Sequence, residues 1–394
     1  MYAPTDLLFG AGTLSQLGDR RLPGTRALVV TTNGRSVMAN GYLDRLKREL
    51  DRAGVSTVLF NQIEPNPLRS TVNAGALLAH AERCDFVVAL GGGSAMDAGK
   101  AIAVAAANVA VGAAGEPSID IWDYVKGGTA KGLPIPVDPL PLVCIPTTAG
   151  TGSEVDSGGI VSCRETNEKL RLNDPRLFPV LAVVDPELMA TVPPRFTAYQ
   201  GFDALFHNIE CFISAVATPL GDLICREGVR SATRALPRAV ADGSDMEART
   251  QMAWASTLGG YAMDASGTTG SHALEHAMSA YHHDLPHGAG LIMISLAYHH
   301  AMIRAHACDD RYVELARLLG DAEASAPEDF LPALERLERA CGVADLKMSD
   351  WGIDQAEFDD IAGNALATTQ VLFDHDPAPL SHDGVVGILR ESYR

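Results

Sequence analysis

The segment DFVVALGGGS, residues 85–94, joins a continuous apolar run to a cluster of small residues. Apolar residues without alternation are typical of a strand that is buried on both faces, as in a parallel sheet covered by helices. Glycines between a strand and a helix let backbone N–H groups approach a phosphate at the positive helix end. The same residues also fit a simple tight turn, and their spacing is not G-x-G-x-x-G, so alone they are a weak nucleotide signal.

Further apolar runs around this segment predict the rest of the sheet. Strands are expected near residues 27–31, 55–60, 85–90, 142–145 and 180–184, and helices near residues 42–53, 71–83 and 95–107. This alternation predicts an α/β, Rossmann-like domain with a parallel sheet. Residues 112–141 are rich in Gly and Pro and predict an extended surface excursion.

The pattern changes after the proline pair Pro193-Pro194. From Ala198 onwards the apolar residues recur at helical spacing and strand-like runs disappear. The prolines, together with Asp185-Pro186, interrupt regular structure at this point. We therefore expect a dinucleotide-binding α/β domain over residues 1–190 and an all-α domain over residues 191–394.

The composition excludes several classes of protein. Hydrophobic residues make up 47% and charged residues 20% of the 394 residues, the balance of a globular protein. The formal net charge of −18 disfavours nucleic acid and anionic membranes as partners. The sequence has neither a signal-peptide pattern nor an apolar run long enough for a membrane span. Seven scattered cysteines without C-x-x-C spacing predict reduced thiols and a cytoplasmic protein.

A second polar loop follows the strand predicted at 142–145. It has the sequence PTTAGTGSE, residues 146–154, in which hydroxyl groups alternate with glycines. Open α/β sheets bind ligands at the carboxyl ends of their strands, where these hydroxyls would meet a ribose or a nicotinamide amide. The alternative is a polar loop that merely caps the next helix. Two such loops after two apolar strands favour a nucleotide crevice.

The helical half contains acidic and imidazole side chains at one-turn spacing. Asp203 and His207 are four residues apart, as are His272 and His276, and His287 follows a predicted turn. One carboxylate and three imidazoles suit a first-row divalent ion such as iron(II) or zinc. Each pair also has an explanation without a metal. Asp203 and His207 would then be a surface pair on one helix, and His272 and His276 a hydrogen-bonded pair in the core.

Five motifs together resemble the iron-containing (group III) alcohol dehydrogenases and occur in that family's order over nearly the whole chain. The motifs are GGGSAMD (91–97), TTAGTGSE (147–154), DP (185–186), GFDALFH (201–207) and PHG (286–288). The resemblance implies a Rossmann-like N-terminal domain followed by an all-α metal domain, an architecture like that of dehydroquinate synthase. It also implies a homodimer or a higher homo-oligomer.

The resemblance assigns roles to residues at matching positions. The metal ligands would be Asp203, His207, His272 and His287, with His276 near the nicotinamide. This chain has one residue more than the commonest family spacing between His272 and His287. We expect His276 to relay a proton to or from the substrate alkoxide, although a packed histidine beside the site is an equal alternative.

The same resemblance predicts the cofactor site. The residues that would hold the pyrophosphate are Gly92, Gly93, Ser94 and Asp97, and those near the ribose and nicotinamide are Asn66, Thr147, Thr148 and Lys169. Thr32 occupies the position that discriminates NAD from NADP, and no carboxylate stands there to repel a 2′-phosphate. We therefore expect NADPH to be accepted at least as well as NADH, unless Thr32 only caps the next helix.

The implied reaction is reversible hydride transfer between a small alcohol or diol and the nicotinamide, with Fe²⁺ or Zn²⁺ acting as a Lewis acid on the substrate oxygen. Two alternatives share the architecture. A lyase of the dehydroquinate synthase type would need Lys and Arg to bind a polyanionic substrate, and residues 198–213 and 268–290 contain neither. A non-catalytic nucleotide-binding relative would not need to keep four metal ligands.

Overall fold

The computed structural model describes residues 1–111 and 116–394, which form two compact units. One unit contains residues 2–148 and 153–191, and the other contains residues 192–394 with Met1 and residues 149–152. The first unit is built on a parallel sheet and the second is all-helical, so the predicted fold class is confirmed. No helix in the described ranges is long and apolar enough to cross a membrane.

The α/β unit is organised around one six-stranded parallel sheet. The strands of this unit are β1 (Asp6–Phe9), β2 (Arg26–Thr32), β3 (Ser56–Ile63), β4 (Phe86–Gly91), β5 (Ala110–Val111), β6 (Pro117–Ser118), β7 (Leu142–Pro146), β8 (Gly158–Cys163), β9 (Glu168–Asn173) and β10 (Leu181–Val184). The sheet has the order β1-β10-β7-β4-β2-β3, and the pairs β5–β6 and β8–β9 are separate antiparallel ribbons.

The described part of this unit has four α-helices: α1 (Ser36–Ala39), α2 (Tyr42–Arg52), α3 (Arg69–Ala81) and α4 (Gly93–Ala107). Short 3₁₀ helices lie at Thr13–Asp19, Ile121–Asp123, Pro175–Leu177 and Pro186–Met189. Side chains of β2 alternate between two cores, because successive strand residues point to opposite faces of the sheet. Leu28 and Val30 pack in one core with α3 and α4, and Ala27 and Val29 pack in the other with α2. The sheet is therefore covered on both faces.

The strand order reverses at β2. From β2 the chain passes to β3 on one side of the sheet and then returns to β4 on the other side. In open α/β sheets, ligands bind at such a reversal, outside the carboxyl ends of the strands. Thr32 ends β2 at this edge, and the segments that follow β4 and β7 at the same edge contain the predicted cofactor residues Gly92–Ser94 and Thr147.

The helical unit packs nine α-helices around one core. They are α5 (Pro194–Ile213), α6 (Pro219–Ala241), α7 (Met246–Ser266), α8 (Gly270–Tyr281), α9 (His287–Arg304), α10 (Asp309–Leu318), α11 (Phe330–Ala340), α12 (Phe358–Phe373) and α13 (His382–Ser392). Further 3₁₀ helices lie at Pro327–Asp329, Met348–Trp351 and Gln355–Glu357. Nearly every residue of α5 from Thr197 to Ile213 is buried, so this helix runs through the centre of the unit.

Some elements of the α/β unit differ from the sequence-based expectation. The edge strand β1 and the ribbon β8–β9 were not predicted, because β1 has only four residues and the ribbon lies in a polar stretch. The excursion expected at 112–141 contains the short strand β6 and one 3₁₀ turn in its described part. Its residues 112–115 lie outside the described residues.

Candidate functional site

The four side chains predicted as metal ligands come from three helices of the helical unit. Asp203 and His207 lie one turn apart on α5, His272 lies in the first turn of α8, and His287 is the first residue of α9. The helix α5 begins with Pro194 at a position where a missing N–H costs nothing. The structure therefore brings together residues that are far apart in the sequence.

The ligand atoms converge on the carboxylate of Asp203. Its Oδ1 atom lies 3.5 Å from Nδ1 of His207, 3.7 Å from Nε2 of His272 and 3.4 Å from Nε2 of His287. Both Asp203 Oδ1 and His272 Nε2 are buried without a hydrogen-bond partner among the described residues. Buried polar atoms of this kind are costly unless an ion or water satisfies them. One Asp and three His in this arrangement fit a divalent transition metal.

Three of these side chains are almost completely enclosed and the fourth is more open. The side chains of Asp203, His207 and His272 are 4–6% exposed, whereas that of His287 is 23% exposed. An accessible edge beside His287 is the side from which a small molecule could reach the four ligand atoms. This arrangement is typical of a catalytic metal site, which keeps one position for substrate.

Burial and the neighbouring charges shift the pKa values of these groups. Burial alone would raise the pKa of Asp203, but His207 and His287 hold it well below its usual range. Burial lowers the pKa of His207 to about 4, so this ring is neutral and ready to act as a ligand. Burial opposes protonation of His272 as well, yet Glu210 and Asp203 raise its pKa to about 10. The two carboxylates thus favour a positive charge where the ring nitrogens meet Asp203.

His276, the predicted proton relay, lies beside this cluster on α8. Its side chain is buried, and its ring centroid is 5.5 Å from that of His287 and 6.4 Å from that of His272. His276, His287 and Glu275 place ligand-type atoms within 4.8 Å of one another. His276 thus lies beside two of the predicted ligand histidines.

The predicted phosphate loop lies at the start of α4. Gly92 is the N-cap residue of this helix, and no side chain caps the helix there. A β-carbon on Gly92 would lie 2.9 Å from Oγ1 of Thr148, so a larger residue would crowd the loop that follows β7. The backbone N–H of Asn66 donates to Oγ of Ser94 at 3.3 Å. Asn66, Ser94 and Thr148 are therefore neighbours at one edge of the sheet.

The other predicted cofactor residues lie near the same edge or in the ribbon β8–β9. Asp97 accepts hydrogen bonds from Oγ of Ser153 at 2.7 Å and from the N–H of Ile160 at 3.0 Å. Burial raises the pKa of Asp97 to about 6 in spite of the nearby Lys100. The backbone N–H of Thr147 donates to Gly91 at 2.9 Å. Lys169 is buried in β9, where it pairs with Ser162 of β8.

Thr32 is the last residue of β2 and is half-buried. The helix that follows has Arg35 as its N-cap residue and lacks a side-chain capping bond. Thr32 therefore does not cap that helix, which was the alternative to a role in cofactor choice.

Two protein-family models match the chain. The family model "Iron-containing alcohol dehydrogenase" matches residues 4–186, and that of the "Fe-containing alcohol dehydrogenase family, C-terminal" matches residues 197–393. The chain belongs to the iron-containing alcohol dehydrogenase family. It is an oxidoreductase that acts on alcohols or diols.

Several relatives match this family member over nearly their whole length. A 1,3-propanediol dehydrogenase of Klebsiella pneumoniae is 31% identical, with 99% of this chain and 97% of that protein covered. Alcohol dehydrogenase 4 of Saccharomyces cerevisiae is 32% identical, with 100% and 98% covered. The crystal structure of an archaeal halo-thermophilic alcohol dehydrogenase from a Red Sea brine pool is similar with a TM-score of 0.93 at 32% identity, covering 99% and 98%.

Three contacts at the histidines of this alcohol dehydrogenase were not predicted from its sequence. Glu210 accepts a hydrogen bond from Nδ1 of His272 at 2.8 Å, and Glu275 contacts Nδ1 of His287. The carbonyl oxygen of Gly150 lies 3.3 Å from Nδ1 of His207. The spacing gives no signal for the two glutamate contacts, because Glu210 and Glu275 contact histidines that lie on other helices.

Proposed function

We propose that this family member interconverts small alcohols or diols with aldehydes or ketones, using NADP or NAD and one divalent ion, iron(II), held by Asp203, His207, His272 and His287. One observation carries the proposal: four ligand-type side chains converge, and two buried atoms among them have no hydrogen-bond partner among the described residues. Zinc suits the same donors. The choice of metal is therefore tested by reconstitution with each ion.

Each of the protein residues has a separate proposed role at this site. The metal, when bound, supplies Lewis acidity to the substrate oxygen. Asp203 provides the negative charge, since its pKa lies well below the usual range. His207 is neutral at physiological pH, because burial lowers its pKa to about 4. His276 is the proposed group that takes up or returns the hydroxyl proton, since its ring lies beside those of two ligands.

The cofactor site of the proposal lies at the carboxyl edge of the sheet. Backbone N–H groups at Gly93 and Ser94 in the first turn of α4 would bind the pyrophosphate, because no side chain caps this helix end. Asn66, Thr147, Thr148 and Lys169 are proposed to face the ribose and nicotinamide. Asp97 would support the site by holding Ser153 and Ile160 in place, since both of its oxygens accept hydrogen bonds from them.

Small, uncharged substrates suit this site better than polyanionic ones. The metal-flanking segments 198–213 and 268–290 contain no Lys or Arg that could bind several substrate carboxylates or phosphates. This is the reason for preferring an alcohol dehydrogenase to a lyase of the dehydroquinate synthase type. If a polyanionic cyclic substrate saturated the enzyme and no aldehyde were turned over, the lyase would be the preferred assignment.

The test is a panel of small aldehydes assayed with NADH and NADPH in parallel, after anaerobic reconstitution with iron(II) or with zinc. We expect oxidation of reduced cofactor that requires stoichiometric metal. His207→Ala and His272→Ala should each lose metal and activity while the α/β unit stays folded and binds cofactor. Full activity with stoichiometric metal in either variant would refute the ligand assignment.

We also propose a cytoplasmic homo-oligomer. All seven cysteines belong to the described residues, none forms a disulfide, and six are buried, as expected in a reducing compartment. Light scattering of the purified holoenzyme measures the oligomeric state, and a monomer at micromolar concentration would contradict that part of the proposal.

A further inference from the structure

A buried carboxylate contacts the most exposed of the four proposed ligands. Glu275 on α8 is completely buried, and its Oε2 atom accepts a hydrogen bond from Nδ1 of His287 at the start of α9. A β-carbon on Gly290 would lie 2.8 Å from Cγ of Glu275, so the glycine makes room for this side chain. The helices α8 and α9 thus pack so that the carboxylate of Glu275 contacts the imidazole of His287.

The contact has a counterpart at His272. There Glu210 accepts from Nδ1 of the ring at 2.8 Å, and it is held in turn by the N–H and hydroxyl groups of Thr269 at 3.0 and 2.9 Å. In both pairs the carboxylate engages Nδ1, and the Nε2 atom faces Asp203. A carboxylate on the second ring nitrogen fixes the tautomer and orientation of a metal-binding histidine and raises its basicity.

We propose that Glu275 is a positioning residue that holds His287 in its metal-binding orientation, an inference that rests on the proposed metal site. His287 depends on such support more than the other ligands do. Its side chain is 23% exposed, whereas those of His207 and His272 are 6% and 4% exposed and are held by the surrounding core. Without the carboxylate, the ring of His287 could rotate towards solvent or adopt the other tautomer.

A different role for the same side chains must be distinguished. Glu275, His276 and His287 offer ligand-type atoms within 4.8 Å of one another and could in principle hold a cation of their own. The direct hydrogen bond between Glu275 and His287 argues against this, because it leaves no space for an ion between the two atoms. The two roles differ in the number of ions that the protein binds.

The experiment measures metal binding directly, with zinc ions as the probe and a chromophoric chelator as competitor. Glu275→Gln keeps the side-chain size but loses the charge, and Glu275→Asp keeps the charge but shortens the reach. We expect both variants to bind one zinc with about 10- to 100-fold weaker affinity. In Glu275→Gln, which loses the buried charge, the thermal midpoint of the metal-free protein should stay the same or rise, because a desolvation cost is relieved.

Glu338→Gln is the matched control, because Glu338 is also a buried glutamate of the helical unit but bonds Ser295 and no histidine. Its zinc affinity should equal that of the wild type. The inference is overturned if Glu275→Gln and Glu275→Asp bind zinc as tightly as the wild type, or if the wild type binds two ions and Glu275→Gln binds one. Retention of stoichiometric zinc by His207→Ala would instead refute the metal site itself.

Discussion

The backbone of Gly288 lies directly against the carbonyl group of Tyr199, which brings the start of α9 into contact with α5. A β-carbon on Gly288 would overlap the carbonyl oxygen of Tyr199 and would lie 3.1 Å from its Cα atom. Both partners are backbone, so no side-chain rotation could relieve the overlap. This close approach is what allows His287 on α9 to reach Asp203 on α5.

Gly288→Ala should therefore separate the two helices. We expect a loss of about 1–3 kcal/mol in the free energy of unfolding, typical of overpacking in a filled core, together with weaker metal binding. Denaturant unfolding and zinc titration measure the two effects. Gly363→Ala in α12 is the control, since its β-carbon would meet nothing within 4 Å and the change should stabilise the helix by about 0.5–1 kcal/mol. Equal stability of both variants would contradict the packing argument.

Glu338 makes the stability depend on pH. Burial raises its pKa to about 7, whereas an unfolded chain releases this proton near pH 4.3. Between these values the folded state holds the Glu338 proton more tightly, so the contribution of Glu338 to stability falls as pH rises from about 4.5 to 7 and is then constant. Glu338→Gln cannot ionise, and its stability relative to the wild type should increase by about 2–3 kcal/mol over that range.

Thermal midpoints at several pH values measure this difference. The exposed Glu328→Gln serves as the control, and its difference from the wild type should not change between pH 4.5 and 7. A constant difference for Glu338→Gln as well would show that the buried carboxyl group is already ionised at low pH.

His276→Ala tests the proton relay. We expect the variant to keep its metal, to lose about 100-fold or more in kcat/KM, and to lose one limb of the pH–rate profile. The control is His300→Ala, which removes a half-exposed imidazole that pairs with Glu391. A variant with normal metal content and an unchanged pH profile would leave His276 as a packed side chain.

The central strands of the sheet and the all-α unit could be predicted from the sequence, because the patterns that indicate them are local. Continuous apolar runs identified β2, β4, β7 and β10, and helical spacing identified the second unit. The edge strand β1 has four residues and depends on pairing with β10, which no local pattern reveals. Residues 149–152 group with the helical unit, because Gly152 packs against the backbone of Ser256 and Gly260.

The proposed site was predictable only in part. The spacing of Asp203 and His207 places both on one helix face, but that His272 and His287 reach the same carboxylate follows from tertiary packing. The contact on which the proposed role of Glu275 rests was hidden for the same reason. Its partner His287 lies twelve residues away on another helix, so only the packing of α8 and α9 brings the two together.

The last prediction concerns the choice between NADP and NAD. Thr32 ends β2 at the point where the strand order reverses, and Arg35 and Ser36 follow it with exposed side chains. An acidic residue at such a position bonds the ribose 2′-hydroxyl and repels a 2′-phosphate. Here a hydroxyl group and a nearby guanidinium group are available, and both can donate to phosphate oxygens. We therefore expect kcat/KM for NADPH to equal or exceed that for NADH.

Thr32→Asp should reverse this choice. A carboxylate next to the 2′-phosphate should lower kcat/KM for NADPH at least 10-fold, because like charges in contact are strongly unfavourable, while kcat/KM for NADH stays the same or rises. The matched control is Ser56→Asp, which adds the same charge at the amino end of β3, the opposite edge of the sheet, and should leave the ratio unchanged. A wild-type preference for NADH of 10-fold or more would mean that another acidic group reaches the ribose. An unchanged ratio in Thr32→Asp would mean that Thr32 does not face the cofactor.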